Sequence, residues 1–214
     1  LHKYHGRALL IVTGACAVHC RYCFRREFPY AEVHAGADEW RPALAYLAND
    51  PSIREVILSG GDPLSLSDRR LGALLAALDQ IPHLERLRIH SRQPIVLPER
   101  VDDGLLERLA QTRLRLVLVV HANHPRELDE TVRTALARLA AAGATLLNQA
   151  VLLRGVNDSA TVLAELSEAL FAARVLPYYL HLLDPVRGAA HFDVNEAEAS
   201  AIIKTLRQRL PGYL

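Results

Sequence analysis

"LRLVLVVH", residues 114–121, is apolar almost throughout and does not alternate apolar with polar residues. A strand of that kind is covered on both faces, the usual condition of a parallel sheet. Outward from it, five more short apolar runs recur, at residues 8–12, 55–58, 87–90, 145–151 and 176–181. Longer stretches with helical spacing separate them. Residues 67–78 read "SDRRLGALLAAL", with Ser67 placed to cap the start. Asp102 and Asp103 precede "GLLERLAQ", Asp158 and Ser159 precede "ATVLAELSEALFAA", and Asn195 precedes "EAEASAIIKTLRQRL". Residues 127–142 share the periodicity, and Gly143 is a stop signal. Six strand–helix units predict an α/β fold with a parallel sheet.

Eight such units close a full barrel, so six leave a partial barrel or an open doubly wound sheet. The unusual polar residues follow the strands. Three cysteines come after strand one, and "SGGDP" (59–63) after strand two. "HSR" (90–92), "HANHP" (121–125) and "HLLDP" (181–185) end strands three, four and six, and strand five carries Asn148 and Gln149. In a β/α barrel the active site is built at the C-terminal strand ends, so this pattern predicts a catalytic mouth there. No linker or low-complexity stretch divides the chain, and residues 1–214 read as one domain. The longest irregular piece is 26–38.

Half of the residues are hydrophobic and 23% are charged, enough for a sizeable core. A net charge of +1 makes no electrostatic case for a nucleic-acid or anionic-membrane partner. No apolar run approaches the roughly 20 residues that cross a bilayer. All three cysteines fall within "CAVHCRYC", residues 16–23. An odd, crowded set argues against a disulfide framework and for reduced thiols that ligate a metal, as in a reducing cytoplasm. His19 could complete a Cys3His zinc site. Alternatively, Cys16, Cys20 and Cys23 could hold a [4Fe–4S] cluster, leaving one iron open to a substrate or cofactor.

The spacing C-x3-C-x-aromatic-C resembles the radical S-adenosylmethionine (SAM) superfamily. "CRYCFRR", "SGGDPL", "HANHP", "NQAVLLRGVND" and "LPYYLHLLDPVRGAAHF" together resemble the lysine 2,3-aminomutase family, nearest to its branch that modifies elongation factor P. The resemblance implies a partial (β/α)6 TIM-like barrel as a radical SAM core domain. It implies an isomerase that moves the amino group of L-lysine from C2 to C3 with a SAM-derived radical, using a [4Fe–4S] cluster, SAM and pyridoxal 5′-phosphate (PLP). Cys16, Cys20 and Cys23 match the cluster ligands, and Tyr22 the aromatic near the adenine. Ser59, Gly60, Gly61 and Asp62 match the strand-two SAM motif. His121 and Gln149 match residues on SAM, Arg25 the arginine on the lysine carboxylate, and Asp184 the aspartate on its ε-ammonium. Lys3, Tyr4 and Arg7 fall where the family surrounds the PLP phosphate.

That resemblance also sets expectations about what is missing. The PLP Schiff-base lysine is expected outside residues 1–214, because Lys3 and Lys204 are the two lysines here and Lys204 sits in an amphipathic helix. The start at Leu1 and the absence of Met suggest a piece of a longer chain. L-lysine and a reducing electron-donor protein are the expected partners, with homo-oligomerisation left open. Two other readings stand: a radical SAM enzyme with a different amino-acid substrate, and a zinc-stapled binding domain. Arg133, Arg138 and Lys204 read as solvated helix charges.

Overall fold

The structure, a computed structural model, describes residues 1–27 and 40–214. Six parallel strands are hydrogen-bonded in chain order: β1 (Arg7–Thr13), β2 (Glu55–Gly60), β3 (Arg86–Ser91), β4 (Arg115–Val120), β5 (Thr145–Val151) and β6 (Val175–His181). Sequential order without a reversal is the winding of a barrel. A doubly wound sheet would place later strands on both sides of the first. The two architectures open in the sequence therefore resolve to a partial six-stranded barrel, with β1 and β6 as its edges among the described residues.

The connecting helices are α1 (Arg41–Asn49), α2 (Asp68–Asp79), α3 (Gln93–Val96), α4 (Asp103–Gln111), α5 (Glu130–Ala141), α6 (Ala160–Ala172) and α7 (Glu196–Arg209). Ser67, Asp102, Ser159 and Asn195 accept a first-turn backbone N–H, as their positions suggest. The helix expected from 127 instead starts at Glu130 behind Asp129. A 3-10 turn at Pro125–Glu127, closed by a reciprocal His124–Glu127 cap, occupies the preceding residues. The irregular piece expected at 26–38 lies mostly outside the described residues, and Phe24–Glu27 forms a 3-10 turn. No described helix is long and apolar enough to cross a membrane.

The strands do alternate, in depth of burial. Ala8, Leu10 and Val12, Val56 and Leu58, Leu87 and Ile89, and Leu116, Leu118 and Val120 join the helix leucines in one core. The residues between them face the barrel interior, because successive side chains point to opposite faces. That inner face is apolar in β4 at Val117 and Val119 but charged in β3. There Arg88 donates to Glu55 of β2 at 2.7 Å through Nε and to the Tyr178 hydroxyl of β6 at 3.4 Å. Arg138 departs from its reading as a solvated charge. It is half-buried and clamps α5 to the start of α4 through Asp103 and the Val101 carbonyl.

Candidate active site

The mouth is organised by the loop after β2. Gly60 has φ +123°, and a Cβ there would lie 2.5 Å from the Thr13 carbonyl oxygen. A Cβ on Gly61 would lie 2.2 Å from the Ala15 carbonyl oxygen and 2.7 Å from the Gly14 carbonyl carbon. Without side chains, the backbones approach closely enough to bond. The Gly61 N–H donates to Thr13 O at 2.7 Å, and the Asp62 N–H to Ala15 O at 2.8 Å. The cysteine loop begins one residue later, so the glycine pair is the surface on which it rests.

The buried Asp62 carboxylate ties this loop to the end of β3. It accepts from Ser91 Oγ at 2.7 Å, the Arg92 N–H at 2.8 Å, the Leu64 N–H at 3.0 Å and the Gln93 N–H at 3.3 Å. Burial pushes its proton affinity up, and the four donors oppose that. Asp62 thus holds the frame on which the neighbouring Gly60 and Gly61 are mounted. Ser59 is buried at the end of β2.

Cys16, Cys20 and Cys23 are half-buried free thiols. Burial raises Cys16 to about 11, followed by the charges of Asp62, Cys23 and Cys20, while Arg25 lowers it. A cationic iron centre reverses that balance, since metal binding deprotonates a thiol. Among the described residues, no three His, Cys, Asp or Glu side chains are arranged to hold a single metal ion. Three thiols on one loop are the donor type that an iron–sulfur cluster takes. Arg25 reaches from the loop to the Gly60 carbonyl at 3.1 Å. Tyr22 is half-buried, and its hydroxyl accepts from Asn123 Nδ2 at 2.6 Å and from Arg92.

Across the mouth, the His90 and His121 rings meet edge to face with centroids 5.9 Å apart, and the Gln149 side chain beside His90 slightly favours its protonated form. His121 Nε2 is buried with no partner. A buried polar nitrogen without a protein partner at the end of β4 fits a site completed by a polar ligand such as SAM. Both imidazoles are held neutral. Burial, then the Arg88 and Arg25 charges, bring His90 down to about 3, and burial drives His121 well below its ordinary value.

The unfolded chain takes up these protons below about pH 6.5, and the folded chain does not until far lower. Stability should therefore fall as pH drops from about 6.5 towards 3. His90→Gln is expected to flatten that decline in urea unfolding at a series of pH values. An unchanged slope would remove His90 from the account.

The remaining residues are more scattered. Lys3, Tyr4 and Arg7 are exposed at the opening of β1, with Arg7 and Lys3 4.8 Å and 5.5 Å from the Tyr4 ring centroid. Arg7 is six strand residues from Thr13, about 20 Å along the barrel wall from the cysteine end. Asp184 is exposed beyond β6 and makes no contact with Arg25 among the described residues. Sequence reasoning passed over Arg92, Asn123, Glu127 and Asn157. Asn157 is fully buried, accepts from the Leu153 N–H at 2.7 Å and donates to Asn123 O at 2.8 Å. Its signal was there in "RGVND" (154–158), an Asn in a Gly-containing turn, where a side-chain amide commonly bonds the nearby backbone.

The sequence profile described as the radical SAM superfamily matches residues 10–166, and the chain belongs to that superfamily. A structure of anSMEcpe with bound AdoMet and a Kp18Cys peptide shares the fold, with a TM-score of 0.70 at 10% identity over 94% of this chain and 59% of that one. A radical SAM methyltransferase from Sphaerobacter thermophilus gives 0.60 at 18% identity, covering 95% of this chain and 63% of that one. Closer in sequence is the L-lysine 2,3-aminomutase of Escherichia coli, 56% identical over 100% of this chain and 63% of that protein. The Haemophilus influenzae L-lysine 2,3-aminomutase is 52% identical over 100% and 63%. That of Clostridium subterminale is 41% identical over 99% and 51%. The chain thus spans between about half and two thirds of the length of these curated relatives.

Proposed function

We propose that this chain is the core of a radical SAM lysine 2,3-aminomutase that converts L-lysine to β-lysine for modification of elongation factor P. The observation that carries the proposal is the cysteine loop seated on the Gly60–Gly61 backbone. It faces a mouth in which His121 Nε2 lacks a partner. Identity to curated aminomutases across the whole chain supports the substrate class.

In this reading Cys16, Cys20 and Cys23 bind the cluster. Gly60, Gly61, Tyr22, His121 and Gln149 surround SAM, with Ser59 and Asp62 supporting the glycine pair. Once bound, the cluster and SAM supply an electron and a carbon radical, and PLP carries the migrating amino group. The residues of the chain bind, orient and exclude water. Neutral His121 and His90 offer a ring nitrogen without adding charge beside a cationic ligand. Arg25, held by the Gly60 carbonyl, presents a fork suited to a carboxylate. Asp184, exposed across the mouth, is left free to meet a distal ammonium. Lys3, Tyr4 and Arg7 offer two cations and a phenol to a phosphate at the far end of the barrel, so the amino acid and its cofactor would lie along the interior wall.

The test is anaerobic. The protein is reconstituted with iron and sulfide, given dithionite, SAM, PLP and L-lysine, and assayed for 5′-deoxyadenosine and β-lysine together. Both products are expected where the PLP Schiff-base lysine is present with this core. 5′-Deoxyadenosine without β-lysine would keep the radical SAM assignment and point to a Schiff-base lysine outside residues 1–214 or to another amino-acid substrate, and absence of bound iron would overturn the cluster assignment.

A further inference from the structure

Arg92 leaves the end of β3 with its N–H fixed by Asp62, and its side chain lies inside the mouth. Nη1 stands 3.4 Å from Cys20 Sγ and also donates to the Tyr22 hydroxyl. Nη2 donates to Glu127 Oε2 at 2.9 Å. The other Glu127 oxygen is fixed by the Asn123 N–H at 2.7 Å and the His124 N–H at 3.0 Å. Arg92 is therefore anchored through its own N–H by the Asp62 carboxylate and Glu127 by backbone N–H groups after β4, while one N–H edge of the guanidinium is turned to a cysteine sulfur. The pair is largely screened from water, with side-chain exposures of 19% and 24%.

We propose that Arg92 and Glu127 form a balanced pair that sets the reduction potential of the iron–sulfur centre. The proposal rests on the cluster reading of the cysteine loop. The physics is electrostatic. One-electron reduction, with the electron taken from an external donor, adds negative charge to the iron–sulfur core and its thiolates. A donor to a ligand sulfur favours the reduced form, and hydrogen bonds to sulfur are a recognised lever on cluster potential. Glu127 withdraws part of the guanidinium charge and works in the opposite direction. Arg92 is a positioning residue in this scheme, acting through Cys20 and holding Tyr22 in place.

The experiment is an EPR-monitored redox titration of the reconstituted protein, with iron and sulfide measured on each sample. Arg92→Met removes the donor and leaves Glu127 unbalanced. Its cluster should be harder to reduce by about tenfold in the equilibrium, or about 59 mV for one electron. Glu127→Gln leaves the cation unbalanced and should move the midpoint the other way by a similar factor. A purely structural pair would not produce shifts of opposite sign. Unmoved midpoints, or both moving together, would overturn the proposal. If Arg92→Met takes up no iron, Glu127→Gln decides alone: a raised midpoint supports the pair, and an unchanged one overturns it. Iron missing from the unsubstituted protein would sink the cluster reading instead, a separate outcome.

Discussion

Cys20→Ser is expected to abolish reductive cleavage of SAM, lowering 5′-deoxyadenosine formation by at least about 100-fold. That is the upper end of the loss seen when only an outer-shell partner is removed, and Cys20 is assigned to the cluster itself. Three thiolates leave no spare ligand, and residues 1–214 hold no further cysteine to substitute. The loop geometry should survive, because its anchors are the Thr13 and Ala15 carbonyls rather than the thiols. Iron content, the brown absorbance of the reconstituted protein and product yield should fall together, while the unfolding midpoint of the apo protein stays near that of the parent. Full iron occupancy with unchanged cleavage in Cys20→Ser would refute the assignment of the three cysteines.

Gly61→Ala should be among the most damaging single methyls in the mouth. The atoms it would strike, Ala15 O at 2.2 Å, Gly14 C at 2.7 Å and Ala15 C at 2.8 Å, are all backbone and cannot rotate aside. Relief requires pushing the start of the cysteine loop off the sheet, which lengthens the two bonds from Gly61 and Asp62. A cost of about 3 kcal/mol, the top of the usual overpacking range, is expected. At this chain length it would lower Tm by roughly 6–12 °C. Cluster uptake should drop with it. Gly155 supplies the control. It has φ +71°, yet a Cβ there meets nothing within 4 Å, so Gly155→Ala carries backbone strain alone. That strain is about 1 kcal/mol. Equal effects at the two positions would show that steric seating of the loop is not what Gly61 provides.

Much of the frame could be read from local signals. β5 runs Thr145–Val151 as its apolar run suggests, and four helices begin behind the Ser, Asp or Asn that precedes them. α1 escaped although Pro42 marks its first turn, because Trp40 stands where a polar cap would and the first turn carries no acid. α3 has four residues, too few for periodicity to register. The inner face of β3 is written in Arg86, Arg88 and His90 at every second position; it is covered, with Arg88 buried as Val119 is in β4, but by charged and polar side chains that the apolar runs did not announce. Among site residues, the cysteines and the glycine pair announce themselves by spacing. Arg92 does not, since its meaning depends on Cys20, 72 residues earlier, and on Glu127, 35 residues later. Asp62 shows the converse. It reads as a ligand group beside two glycines, yet its oxygens are engaged by four donors, two of them from residues beyond β3.

The cysteine loop is fastened to the sheet by main-chain bonds at Thr13 and Ala15 and by the glycine contacts, none of which involves a sulfur. An oxidised, shed iron–sulfur centre would accordingly leave its berth standing. Repair after a burst of oxygen would then need only new iron and sulfide at a waiting seat, with no second round of synthesis or refolding.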